Sequence, residues 1–254
     1  MRILVTSSKG GIGKSTLSAG LAYAFAKRGK RVLLCDCDLG GRSLDMFLGE
    51  ENNTLFDIGD VAKGRCTPED TLLNPWGMVN LFFCPSPAMY IPGDIMADEL
   101  IRAIKSLETA VGADVVICDT AGFVCAPDIA AGYAKTALIV ATQQPASVRA
   151  AEATAMLLAD RGLKDSKLII STFEWKSAMK GKRAGILDII DGAGVQCAGI
   201  VPYDRGLMLS GEVGRPPEDG SDGMQAFDNI AARLDGYNIK LFMGIAKISG
   251  KKSL

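Results

Sequence analysis

The chain opens with an apolar run, a glycine-rich loop and a helical pattern in immediate succession. Ile3, Leu4 and Val5 form the run, residues 7–14 hold three glycines and two lysines, and a helical pattern rich in alanine begins at Ser15. A strand that leads through glycines into a helix N-terminus lets successive backbone N–H groups surround phosphate oxygens. This order therefore predicts a strand–loop–helix unit that binds phosphate.

Seven short apolar runs alternate with helical patterns along the rest of the chain, and one of those patterns covers Ala178–Asp191. Near-continuous apolar strands are typical of parallel sheets that are buried on both faces. With 254 residues, we expect a single α/β domain, an open, mostly parallel, twisted sheet with helices on both faces. The predicted domain spans residues 1–236, and residues 237–254 form a C-terminal tail.

Composition excludes several kinds of site. The net charge of −1 offers no general basic field for nucleic acid. The chain has no histidine, which excludes histidine-ligated metals and histidine-based catalytic triads, and its seven cysteines do not suggest a disulfide framework. No secretory leader and no apolar run of about 20 residues is visible, so we expect a cytoplasmic protein.

The glycine-rich loop fits the Walker A spacing G-x-x-x-x-G-K-[ST], with Ser8 in place of the first glycine. We expect Lys14 to reach the β- and γ-phosphates, Ser15 to ligate Mg²⁺ and Thr16 to donate to the α-phosphate. The expected nucleotide contacts in this loop are Ser8, Lys9, Gly10, Gly11, Ile12, Gly13, Lys14, Ser15 and Thr16.

Carboxylates follow two of the predicted strands. Val115–Asp119 is an apolar strand that ends in an acid, the Walker B pattern, and Asp119 is expected to hold Mg²⁺ directly or through water. Asp36 and Asp38 follow the second strand, and Asp38 is our candidate for orienting the attacking water. The predicted metal site consists of Ser15, Asp38 and Asp119, and Lys14 and Asp38 are predicted to be catalytic.

The stretch from Lys9 to Thr16 resembles the deviant Walker A motif, K-G-G-x-x-K-[ST], of the MinD/ParA ATPases. The resemblance implies slow, partner-stimulated ATP hydrolysis with Mg²⁺ by a homodimer. It also implies that Lys9 is a further catalytic residue, which reaches the nucleotide of the other subunit. Residues 36–45 are similar to switch I of the MinD branch, and residues 119–122 to switch II, where the Gly122 N–H would face the γ-phosphate.

Two later segments extend the resemblance. Residues 142–149 are similar to the family's T-x-P-x-x-S-x-R segment with compressed spacing, and residues 199–204 to a late segment near the base, which implies nucleotide contacts for Pro202 and Asp204. The chain departs from the pattern at Phe173-Glu174, where MinD proteins often carry an adenine-reading asparagine. The sequence therefore leaves the adenine contact open.

The tail combines apolar and basic residues. Wound as a helix from Ile239 to Lys252 at 100° per residue, it places Lys240, Lys247 and Lys251 within about 40° of one another, opposite Phe242 and its apolar neighbours. MinD proteins end in a similar segment, which implies binding to an anionic membrane at the inner face of the cell membrane in the ATP state. The alternative is a last helix that packs on the core.

Three functions fit these features. The first is a MinD-type switch that positions the division site or a polar structure, with an activating or effector protein as partner. The second is a ParA-type partition ATPase that binds DNA, which the charge does not support. The third is an iron–sulfur or metal carrier related to the nitrogenase iron protein, for which Cys84 and Cys125 are the candidate ligands.

Overall fold

A computed structural model describes residues 1–122 and 125–241. Seven parallel strands form one sheet in the order β3-β2-β4-β1-β5-β6-β7. The strands are β1 Arg2–Thr6, β2 Val32–Asp36, β3 Leu81–Cys84, β4 Val115–Asp119, β5 Thr136–Ala141, β6 Ser166–Phe173 and β7 Cys197–Pro202. Every residue of β2, β4 and β7 is buried, as their apolar sequences predict.

Ten α-helices surround this sheet in the described part of the chain. They are α1 Lys14–Lys27, α2 Leu44–Leu48, α3 Ile58–Ala62, α4 Ala97–Val111, α5 Ala126–Gly132, α6 Pro145–Asp160, α7 Trp175–Met179, α8 Ile186–Ala193, α9 Arg205–Glu212 and α10 Asp222–Leu234. Among residues 1–122 and 125–241, none of these helices has the length and apolar character that a bilayer-spanning helix needs.

The strand order puts the loops after β1 and β4 next to each other. From β1 the chain moves toward β2 and β3, whereas from β4 it moves the other way, toward β5, β6 and β7. Right-handed crossovers in opposite directions lie on opposite faces of a sheet, so a crevice opens between β1 and β4. The predicted single α/β domain with a parallel sheet is confirmed, and its crevice lies at the glycine-rich loop.

Close packing at two glycines holds helix α10 against the sheet and against α1. A Cβ on Gly20 of α1 would lie 2.2 Å from the Phe227 ring of α10, and a Cβ on Gly199 of β7 would lie 2.2 Å from Ile230 Cγ1. Both positions therefore require glycine, because any side chain would separate α10 from the elements that it covers.

The helix predicted over Ala178–Asp191 is wrong, because two helices occupy this region. α7 ends at Met179 and α8 begins at Ile186. Gly181 takes a left-handed φ of +64°, and the Gly185 N–H donates to Asp188 Oδ2 at 2.8 Å, which caps the new helix. The sequence pattern continued through these residues, but the two glycines favour a turn.

The tail prediction is tested only at its start. Residues 239–241 are irregular rather than helical, and Arg28 lies over the Tyr237 ring with 5.5 Å between its guanidinium carbon and the ring centre. The remainder of the predicted amphipathic helix, residues 242–254, lies outside the described residues.

Candidate functional site

The glycine-rich loop connects β1 to α1 at the carboxyl edge of the sheet. Gly11 and Gly13 have left-handed φ angles of +68° and +93°, which only glycine adopts without strain. Ile12 is buried and anchors the loop in the core. Lys14 is the first residue of α1, so the positive end of the helix dipole points into the loop.

Two neighbouring segments hold the loop in shape. A Cβ on Gly13 would lie 2.7 Å from Ser171 Oγ of β6, and a Cβ on Gly122 would lie 2.3 Å from the Ser7 carbonyl oxygen. The predicted switch II glycine therefore lies against the backbone of the phosphate loop. Both contacts exclude larger residues at these two positions.

Asp119 ends β4 directly beneath the start of α1. Its Oδ2 accepts a hydrogen bond from Ser15 Oγ at 2.8 Å, and its Oδ1 accepts one from Ser18 Oγ at 3.0 Å. Ser15 Oγ also lies 3.1 Å from Ser43 Oγ in the segment after β2. The structure thus brings together Ser15 and Asp119, two of the three predicted magnesium ligands.

Burial shifts the pKa values of two carboxylates at this edge. Burial raises the pKa of Asp119 to about 6, and its hydrogen bonds with Ser15 and Ser18 oppose that shift. Asp36 faces Asp119 in register on β2, and burial followed by the negative charge of Asp119 raises the pKa of Asp36 to about 8. A cation placed here would relieve the repulsion between the two carboxylates.

Asp38 lies at the rim of the site in a turn of its own. Its N–H donates to Asp36 Oδ1 at 3.0 Å, and its carbonyl accepts from Ser86 Oγ at 3.1 Å. Its half-buried carboxylate would lie 2.6 Å from a Cβ on Gly41. The Asp38 carboxylate therefore takes no part in the hydrogen bonds that join Ser15 to Asp119.

Lys9 and Ser8 contact the N-terminal half of α6. Lys9 Nζ donates to Gln144 Oε1, and Ser8 Oγ donates to the Ala150 carbonyl at 3.2 Å. Thr154 Oγ1 lies 3.3 Å from Ser8 Oγ. The serine that replaces the first Walker A glycine therefore ties the loop to α6.

Pro202 and Asp204, which the sequence predicts to contact the nucleotide near its base, both have partners within the protein. Pro202 pairs with Phe173 at the ends of β7 and β6. Asp204 accepts hydrogen bonds from the N–H groups of Leu207 and Gly223 at 3.2 and 2.9 Å, so it caps α9 and joins it to α10. Glu174 pairs with Arg183 at 2.7 Å, which occupies its carboxylate.

Ser18, Asp36 and Gln144 were not among the predicted site residues. Ser18 lies three residues after Ser15, which places both hydroxyls on one side of α1, and this spacing is a signal that could have been used. The pairing of Asp36 with Asp119 depends on strand register, and the contact of Gln144 depends on the position of α6.

Cys84 and Cys125 have the character of core residues. Both thiols are buried, and burial raises the pKa of each to about 12, which disfavours the thiolate that binds iron. Across residues 1–122 and 125–241, no group of three or more His, Cys, Asp or Glu side chains is arranged to hold a metal ion. All seven cysteines are free thiols.

Comparison with known proteins shows which family the chain belongs to. Residues 3–217 match the model of the CobQ/CobB/MinD/ParA nucleotide binding domain. The chain belongs to this family. A septum site-determining protein MinD from Synechocystis is 32% identical over 246 residues, which cover 93% of this chain and 90% of that protein. The predicted membership of the MinD/ParA family is confirmed, and the chain is a MinD-type P-loop ATPase.

Solved structures agree with this assignment. The chain resembles the MinD of an Aquifex aeolicus MinC:MinD cell division complex, with a TM-score of 0.86, 32% identity, and coverage of 94% of this chain and 97% of that one. A MinD from Pyrococcus horikoshii, solved with Mg-ADP, shares the fold at a TM-score of 0.80 and 23% identity, and the match covers 99% of both chains. The partition ATPase and iron-carrier alternatives are not favoured by these relatives.

Proposed function

We propose that this chain is a Mg-ATP-dependent, dimerising switch of the MinD type that takes part in placing the division site or a polar structure. The observation that carries the proposal is the loop itself. Its two lysines, Lys9 and Lys14, flank glycines in left-handed conformations at the sheet crevice, and the Ser15–Asp119 pair lies directly below. ATP and Mg²⁺ are the cofactors.

The residues present fit both groups. Backbone N–H groups of the loop and the N-terminus of α1 suit phosphate, which has negative oxygens in need of donors. Ser15 and Asp119 supply a hydroxyl and a carboxylate oxygen, the donors that Mg²⁺ takes when phosphates and water complete its shell. When bound, Mg²⁺ neutralises charge on the β- and γ-phosphates.

Different side chains of the site have different roles in hydrolysis. Lys14, at the first position of α1, pairs with the terminal phosphates, and Ser15 and Asp119 hold the metal. Asp38 orients the attacking water from the rim, where its half-buried carboxylate is not engaged by Ser15 or Asp119. Lys9 supplies a cation to the phosphates bound by a second subunit, where negative charge develops during transfer.

Two substitutions separate binding from hydrolysis. Lys14→Ala is expected to abolish ATP binding, because it removes the charge that pairs with the β- and γ-phosphates. Asp38→Ala is expected to retain binding and to accumulate the dimer, because only the water loses its partner. ATP titration by calorimetry, with steady-state release of phosphate, measures both. Hydrolysis by Asp38→Ala at the wild-type rate would remove Asp38 from the mechanism.

The switch would act at the inner face of the cell membrane, with the tail of residues 237–254 bound to anionic lipid only in the ATP-bound dimer. One short basic segment binds a membrane weakly, and two presented together bind far more tightly. The Aquifex MinD was solved with the protein MinC, so an effector protein is the further partner that we propose. DNA binding finds no support in a net charge of −1.

Co-sedimentation with anionic vesicles tests the membrane step. The assay compares the full chain with a truncation that ends at Tyr237, each with Mg-ATP and with Mg-ADP. We expect only the full chain with Mg-ATP to enter the pellet, and neutral vesicles serve as the control. Sedimentation of the truncation, or of the full chain with Mg-ADP, contradicts a nucleotide-controlled tail.

A further inference from the structure

The turn between α1 and β2 carries a cluster of positive charge. Lys27, Arg28, Lys30 and Arg31 flank Gly29, which takes a left-handed φ of +81°. α1 has 14 residues and is therefore about 21 Å long. Because α1 begins at the phosphate loop and ends at this turn, the cluster lies far from the nucleotide crevice, at the opposite edge of the sheet.

Two of these cations are paired and hold the turn to α10. Lys27 pairs with Asp219, which precedes α10, and Arg28 Nε pairs with Asp235 Oδ2 at 3.4 Å, just after the end of α10. The guanidinium carbon of Arg28 also lies 5.5 Å from the centre of the Tyr237 ring. These contacts place the turn beside the start of the tail.

The other two cations of the turn have no acidic partner in the described part of the chain. Arg31 Nε donates to the Val111 carbonyl at 2.9 Å, and its guanidinium lies over the Phe82 ring. Lys30 is held through its backbone, since its carbonyl accepts from Asn80 Nδ2 at 2.9 Å. The fold thus fixes the position of Lys30 without neutralising its ammonium.

Lys30 and Arg28 open onto a shared hollow on the surface. The hollow has a volume of about 460 Å³ and is lined by Arg28, Lys30, Asp235 and Tyr237. Because Asp235 pairs with Arg28, the charge that remains uncompensated in the hollow is that of Lys30. An ammonium beside a phenolic hydroxyl supplies the donors that a phosphate group accepts.

The hollow lies where the chain leaves the folded domain. Leu241, the last described residue, packs against the core, and Lys240 before it is exposed. Residues 242–254, the rest of the proposed lipid-binding tail, follow directly. Four residues span at most about 14 Å, so a tail that binds lipid brings Tyr237 and the hollow close to the membrane surface.

We propose that this hollow is a second contact with the membrane, in which Lys30 and Tyr237 bind the phosphate of an anionic lipid. The inference rests on the proposed binding of the tail to lipid. The tail attaches the protein, and the hollow determines which side of the folded domain faces the membrane. The phosphate loop, at the other end of α1, then remains accessible to a second subunit.

Binding of the full chain to vesicles in Mg-ATP tests this contact. The vesicles contain phosphatidylglycerol in neutral phosphatidylcholine, and the bound fraction is measured against lipid concentration. Lys30→Gln should weaken binding about 5- to 30-fold, because one lysine near an anionic surface contributes about fivefold and a dimer presents two. Lys30→Arg keeps the charge and should bind like the wild type.

Lys164→Gln is the matched control. Lys164 is an exposed lysine between α6 and β6, and β6 lies four strands away from β2 in the sheet. This variant loses the same charge and should bind vesicles like the wild type. Thermal unfolding, and ATP hydrolysis measured without lipid, should be unchanged in all three variants, which shows that the fold and the nucleotide site are intact.

The outcomes separate this inference from the proposed function. If the wild type does not bind vesicles in Mg-ATP, the proposed role of the tail fails, and the inference fails with it. If the wild type binds and Lys30→Gln binds equally well, the tail acts alone and the second contact is wrong. Equal weakening by Lys164→Gln would show a response to net charge and would also overturn the role of the hollow.

A parallel titration with a DNA duplex distinguishes lipid from nucleic acid, the other large polyanion that a basic surface can bind. We expect Lys30→Gln to change vesicle binding alone. Loss of DNA binding by Lys30→Gln with unchanged vesicle binding would assign the hollow to nucleic acid and would refute the lipid contact.

Discussion

Gly122→Ala tests whether the switch II segment must lie against the phosphate loop. A Cβ at this position would lie 2.3 Å from the Ser7 carbonyl oxygen and 2.5 Å from the Ser8 Cα, and real Cβ atoms essentially never come within 3.0 Å of such atoms. The backbone must therefore move by roughly 0.7 Å or more, and overpacking of this kind costs about 1–3 kcal/mol. Gly122 does not have a left-handed φ, so the clash is the main cost.

We expect this substitution to weaken ATP binding rather than to lower the stability of the fold. The segment after β4 can move away from the loop without disturbing the sheet, but the loop then loses the support that shapes it around phosphate. If the full cost opposes the bound state, ATP affinity falls about 5- to 150-fold, which calorimetric titration with Mg-ATP measures. Thermal unfolding should change much less, since the core strands keep their contacts.

Gly185→Ala is the matched control for this experiment. A Cβ there would meet only Asp188 Oδ2, at 3.3 Å, at the start of α8. This glycine-to-alanine substitution should therefore leave ATP affinity unaltered. Binding of ATP by Gly122→Ala with wild-type affinity would show that the loop tolerates the displacement, and it would refute the reasoning. Global unfolding of the variant would refute it as well, because the clash would then belong to the core.

Three further predictions concern the core beneath the site. Ser18→Ala should destabilise the fold by about 1–3 kcal/mol in urea unfolding, since it leaves a buried Asp119 oxygen without its donor; an unchanged midpoint would contradict this. The pKa of Asp36 is raised from 3.8 to about 8, so the free energy of unfolding of the wild type falls as the pH rises through that range. Asp36→Asn should therefore raise the free energy of unfolding at pH 7.5 and make it depend less on pH. An unchanged slope for Asp36→Asn would reject this assignment. A thiol reagent should label only Cys66 rapidly in the native protein, because the other six cysteines are buried; rapid labelling of a second thiol would show that the core opens.

The features that were predicted correctly are those carried by contiguous residues. The phosphate loop follows from the local order of strand, glycines, Lys14 and helix, because backbone conformation there depends mainly on neighbouring residues. The apolar strand that ends at Asp119 is equally local. Their meeting at one edge follows from the parallel sheet, in which every carboxyl end lies on the same side.

Prediction failed where local turn signals interrupt a helical pattern and where helices are too short to show a periodicity. The helical pattern over Ala178–Asp191 is interrupted because Gly181 and Gly185 favour a turn that the capping of α8 by Asp188 reinforces. Five-residue helices such as α2 and α3 leave too few turns for periodicity to show them.

By itself, the sequence determined the sheet-and-helix class, the phosphate loop and the acid at the end of β4, since each depends on residues adjacent in the chain. Only the tertiary structure decided that Asp36 faces Asp119, that Ser18 binds the same carboxylate and that Gln144 reaches Lys9. These contacts depend on strand register and on where helices pack. Register and packing are set by the burial of the whole core rather than by any short stretch of sequence.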